Sequence, residues 1–77
     1  MMLANPNSKE CHALCAAFVS KEHESGEDCT VTEVEQGPEY LKIFYFNSNP
    51  YKNGPKLCVT TLSEVLVWAW YNPRKMP

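Results

Sequence analysis

A chain of 77 residues, 44% hydrophobic and 21% charged, is long enough for one small core and too apolar to stay disordered. Its net charge of −2 gives no cationic excess for nucleic acid, and no run of about 18 apolar residues is available to span a membrane. The opening Met-Met-Leu-Ala-Asn-Pro-Asn-Ser has neither a basic n-region nor an apolar h-region, so the expectation is a complete small cytosolic protein whose thiols stay reduced.

Asn5-Pro6-Asn7 is a turn-like lead-in. Asn7 with Glu10 three residues on predicts the cap of a helix over about 8–22. At 100° per residue Cys11, Leu14, Cys15, Phe18 and Val19 share one face, and Lys9, Ala13, Ala16 and Ser20 lie opposite. His23–Asp28 reads as a polar loop turning at Gly26. Cys29–Gln36 is rich in Thr and Val and predicts a strand. Its alternation breaks between Val31 and Val34. A bulge near Thr32-Glu33 would repair it, or the strand is an edge guarded by its glutamates. Gln36-Gly37-Pro38-Glu39 is a hairpin turn by composition.

Tyr40–Phe46 alternates most cleanly. Leu41 and Ile43 should meet the helices, and Lys42 marks the face of Tyr40, Phe44 and Phe46 as the wetter one. Residues 47–55 are dense in turn formers and long for a hairpin, which suggests a functional or mobile loop. The stretch Lys56–Pro73 reads most clearly of all. A short β-rich run, Leu57–Thr60, feeds a helix that Thr61 and Glu64 cap as a box and that Asn72-Pro73 stop. Arg74 and Lys75 fall just beyond, where the helix dipole favours cations. The expected architecture is α+β, in the order αβββα: a three-stranded antiparallel meander with two helices packed on one face, as a single domain over residues 1–77.

Charge is lopsided. Residues 1–39 hold eight acids and two bases, residues 40–77 one acid and five bases, and seven of the nine acids fall between Glu22 and Glu39. This is either a solvated face or an acidic strip, Glu33 and Glu35 included, that meets a basic partner.

Two apolar surfaces stand out. One is the open sheet face carrying Tyr40, Phe44 and Phe46. The other is the far side of the last helix. There Leu62, Val65, Leu66, Ala69 and Trp70 form the stripe expected to face the sheet, which leaves Val67 and Tyr71 opposite and Trp68 at the border. Either helix one covers that far side or a partner does.

Cys11, Cys15, Cys29 and Cys58 admit three readings: buried thiols, a long-range disulfide, or zinc. The first is favoured because Cys11 and Cys15 point into an apolar helix face. His12 could approach Cys15, or simply flank that face in water. No phosphate loop, carboxylate pair or metal-binding His pair is present, so no catalytic residue, metal or cofactor is assigned and the expectation is a non-enzymatic protein.

What remains points to binding of another protein with a basic surface, through Trp68, Tyr71, Val67, Tyr40, Phe44, Phe46, Glu33 and Glu35. In kind only, the chain resembles the small proteins that bacteriophages and other mobile elements encode to occlude a host enzyme or complex. Two alternatives stand beside this. One is a single-stranded nucleic-acid binder using Tyr40, Phe44 and Phe46 with Lys42, Lys52 and Lys56. The other is a plain homodimer.

Overall fold

The computed structural model describes residues 3–73. Helix α1 spans Lys9–His23, strand β1 Cys29–Gln36, β2 Leu41–Asn47, β3 Lys56–Thr60 and helix α2 Leu62–Tyr71. The strands form one antiparallel sheet in the order β1-β2-β3. Both helices contribute to one core against one sheet face, which is the αβββα meander expected. Arg74 and Lys75 lie outside the described residues.

Ser8, not Asn7, caps α1: its hydroxyl accepts the Cys11 N–H at 3.1 Å. Asn7 is spent elsewhere. Its Nδ2 donates to the Val34 carbonyl at 3.0 Å and its Oδ1 accepts the Val34 N–H at 2.8 Å. One side-chain amide thus occupies the outer edge of β1 as a neighbouring strand would. The same Oδ1 lies 2.7 Å from His12 Nε2, so His12 turns to Asn7 and the sequence-level pairing with Cys15 does not form. At the other end of α1, Ser25 (φ 54°) and Gly26 (φ 85°) are left-handed, and the Gly26 N–H closes on the Ser20 carbonyl at 2.7 Å.

Register explains the sheet's two faces. The pairing of β1 with β2 slips between Val31 and Glu33, which lets Val31 and Val34 both turn inward despite their odd spacing. Leu41, Ile43, Tyr45 and Asn47 alternate inward on β2, and Cys58 and Thr60 on β3. Above them lie Cys11, Cys15, Phe18 and Val19 from α1 and Val65 and Trp68 from α2. Leu41, Ile43, Val19 and Val65 are fully enclosed, each worth about 1.5–3 kcal/mol of burial.

Helix α2 corrects the sequence-based expectation. Its buried residues are Leu62, Val65 and Trp68; Leu66 and Trp70, assigned to the sheet-facing stripe, are exposed. The helix is turned by about 60° from the expected setting. Nearly every position of α2 is apolar, so periodicity alone cannot choose a face. The cap chooses it. The Thr61 hydroxyl accepts the Glu64 N–H at 3.0 Å as expected, but the Glu64 carboxylate goes to the hydroxyl of buried Thr60, 2.6 Å away on β3. That bond ties the first turn of α2 to β3, while Glu64 itself stays exposed at the border of the buried face. Trp68, one turn further on, is buried and meets the Phe18 ring edge-on, with centroids 5.6 Å apart at 86°.

All four cysteines are free thiols, with Cys11, Cys15 and Cys58 buried. Burial raises the Cys11 and Cys58 thiols and pushes Cys15 up to about 12.

Candidate protein-binding surface

Four of the nine acids fall into two groups with different uses. Glu24 and Glu27, in the loop after α1, are turned toward the β2–β3 loop. Glu24 accepts from Asn47 Nδ2 at 2.8 Å and from the Tyr45 hydroxyl at 2.9 Å, and Lys56 Nζ lies 3.4 Å away. The Asn47 bond leads in holding its carboxyl below the ordinary carboxylate range, with Tyr45 and Lys56 adding to it. Glu27 meets Lys52 Nζ at 2.8 Å and Asn49 Nδ2 at 2.8 Å, and its pKa falls to about 2, led by the Lys52 bond. The half-to-half charge imbalance is therefore partly neutralised inside the chain. The 47–55 loop, long enough to suggest mobility, is tied down by the acids opposite.

Glu33 and Glu35 are different: both are exposed on the outer face of β1. Glu33 pairs in register with Phe44 and Glu35 with Lys42. Glu35 also accepts the Tyr40 hydroxyl at 3.1 Å, and Lys42 Nζ sits 5.1 Å above the Tyr40 ring. The ring in turn lies over Gly37, where any Cβ would collide with it. Tyr40, Glu35 and Lys42 thus hold one another at one end of the outer face.

Toward β3 the same face becomes apolar. Phe44 is half-buried and Phe46 is 39% exposed. Leu57, beside Phe44, is 51% exposed and Val59, beside Lys42, is 61% exposed. Leu57 and Val59 were not singled out from sequence. The signal was there, because β3 carries apolar residues at both parities and an open sheet can bury only one of them.

The outer face of α2 is the second surface. Trp70 is 81% exposed and Tyr71 77%, with Val67 and Leu66 beside them. Trp68, expected at the border of this patch, is only 8% exposed and belongs to the core, so it cannot serve as a surface anchor; Trp70 takes that position. An open groove of about 570 Å³ runs beside the patch, where Val67 and Tyr71 face Phe18 and His23, with Glu22 and Glu64 as its acids. His23 Nε2 also approaches Cys58 Sγ at 3.4 Å, a contact with no local sequence signal because 35 residues separate the two.

The predicted residues therefore fall into two places. Tyr40, Phe44, Phe46, Glu33 and Glu35 share the outer sheet face, Val67 and Tyr71 lie on α2, and the two sets belong to different layers. Among the described residues no three His, Cys, Asp or Glu side chains gather as a metal site, and no helix is long and apolar enough to cross a membrane. Comparison with protein-family models, with curated proteins and with solved structures finds no match to this chain.

Proposed function

We propose that this chain is a non-enzymatic protein-binding module that acts by covering part of a partner's surface. The observation that carries the proposal is the exposure of Trp70 and Tyr71 on adjacent positions of α2. Aromatic side chains presented on a rigid helix lose little entropy on binding and are the residue types enriched at hot spots. Glu22 and Glu64 in the adjoining groove give the rim a negative charge, which suits a partner with basic side chains. An occluding inhibitor of the kind carried by phages and other mobile elements is the finer form of this proposal.

Single-stranded nucleic acid is disfavoured on one specific ground. Of the three lysines that would have to meet phosphates, Lys52 and Lys56 already sit against Glu27 and Glu24. Lys42 sits over the Tyr40 ring, on the residue paired in register with Glu35.

The test is affinity capture with the unmodified chain beside Trp70→Ala and Tyr71→Ala. A discrete partner lost from both variants is the expected result. A partner retained by both, or retention of short oligonucleotides at low salt in place of any protein, would move the function away from α2.

A further inference from the structure

The two edges of the sheet are treated in opposite ways. At β1 the chain covers part of its own edge: Asn7 bonds both backbone groups of Val34, and the Leu3 N–H donates to the Gln36 side chain at 2.9 Å. At β3 the strand order leaves the far side without a neighbouring strand among the described residues. The bare edge is also the apolar one, with Leu57 and Val59 exposed. Natural sheets blunt such edges with charge, proline or a covering loop. Here Pro55 and Lys56 guard only the start, and 57–60 carries no charge at all.

We propose that the β3 edge pairs antiparallel with β3 of a second copy, joining two three-stranded sheets into one of six strands. Cys58 is the middle residue of the strand. A two-fold axis beside it makes the edge self-complementary, as a symmetric dimer requires. Leu57 then faces Val59 of the other copy on the outer side, and Val59 faces its Leu57. Lys56 faces Thr60, not a second lysine, and its ammonium is already occupied by Glu24. No like charges meet. The β1 edge could not do the same, because an axis at Val34 would bring Glu33 of one copy opposite Glu35 of the other. The whole chain carries only −2, too little to hold two copies apart.

The five residues of β3 span roughly 17 Å of strand, and their contact falls short of the ~800 Å² per partner of a standard interface. The association is therefore weak and rises with concentration. It does not use the Trp70–Tyr71 face, so each dimer presents that face twice.

Two experiments test the pairing on the full chain. In sedimentation equilibrium from tens of micromolar upward, the unmodified chain shows a monomer–dimer equilibrium. Val59→Lys weakens it at least tenfold by bringing lysine into an apolar pair, while circular dichroism stays native because the position is exposed. Trp70→Ala leaves it unchanged. The second experiment is run on a Cys58→Ala background, because the axis sets Cys58 against its own copy. There Leu57→Cys/Val59→Cys oxidises to a covalent dimer faster than either single variant, because residue 57 of one copy faces residue 59 of the other. A monomer at every concentration overturns the pairing and leaves the α2 proposal standing. A dimer indifferent to Val59→Lys, or single variants that cross-link as fast as the double, likewise overturns it. Loss of the dimer in Trp70→Ala would assign the contact to α2 instead.

Discussion

The two tryptophans of α2 lie two residues apart and should respond in opposite ways to truncation. Trp68 is 92% enclosed, against the edge of Phe18. Removing a buried Trp to Ala costs about 3–5 kcal/mol through lost transfer energy and the cavity left behind. A 77-residue domain has about 4–12 kcal/mol in all, so Trp68→Ala should lose at least a quarter of the stability and can unfold the protein. Trp70→Ala, at a position 81% exposed, should change it by no more than about 0.5 kcal/mol. Trp68→Phe separates volume from polarity. The indole Nε1 is buried with no acceptor among the described residues. Deleting an unpaired donor recovers about 1–3 kcal/mol of desolvation, which offsets much of the area lost. The expected order of urea midpoints is Trp70→Ala equal to the unmodified chain, Trp68→Phe slightly below, and Trp68→Ala far below at unchanged m. Equal midpoints for the two alanine variants, or a lower one for Trp70→Ala, would show that α2 is turned the other way and that Trp70 faces the core.

The same structure carries three further predictions. Asn7→Ala should cost about 1–2 kcal/mol by opening both bonds to Val34; a hydrogen-exchange experiment should show the Val34 amide losing protection first, and unchanged exchange there would contradict the edge closure. Glu27 ionises near pH 2 when folded against an ordinary 4.5, and Glu24 is also lowered. Their contribution is therefore present above about pH 4.5 and lost as pH falls toward 2, so acid titration of the melting temperature should show a decline over that window that Glu27→Gln flattens. Cys15, pushed up to about 12, and its raised neighbours Cys11 and Cys58 should alkylate slowly at pH 8 until urea unfolds the chain; a rapid native reaction at Cys58 would mean that His23 activates it.

The strands and the Thr61 cap of α2 were legible because they depend on near neighbours. The bulge was visible as a broken alternation between Val31 and Val34, and the Thr61 cap as a hydroxyl three residues before a carboxylate. The setting of α2 was not, since a helix apolar at eight of its ten positions offers several equivalent faces. The deciding contact, Glu64 to Thr60, runs to a strand whose inward parity must be known first. Asn7 differs from expectation for a related reason. Its composition fits a cap, and only the fold brings Val34, 27 residues away, within reach of its amide. The charge imbalance was visible, but its resolution through Glu24–Lys56 and Glu27–Lys52 needed the two loops to meet at the same end of the sheet.

These placements bear on why the exposed rings stay exposed. The chain spends its polar side chains on its own loops and on the β1 edge. Asn7, Glu24, Glu27, Asn47 and Asn49 all turn inward to the chain itself. The large hydrophobic residues left in water all fall between Phe46 and Tyr71 among the described residues, on β2, β3, α2 and the loop between β2 and β3. A fold limited only by the size of its core would leave apolar surface scattered over every element, as most proteins do. Here α1 and β1 are polar outside and partly covered at the edge, while the second half is apolar outside and open at the edge. A difference of that kind has a direct physical consequence: the first half has little to gain from contact, and the second half gains from any surface that excludes water from Trp70, Tyr71, Leu57 and Val59.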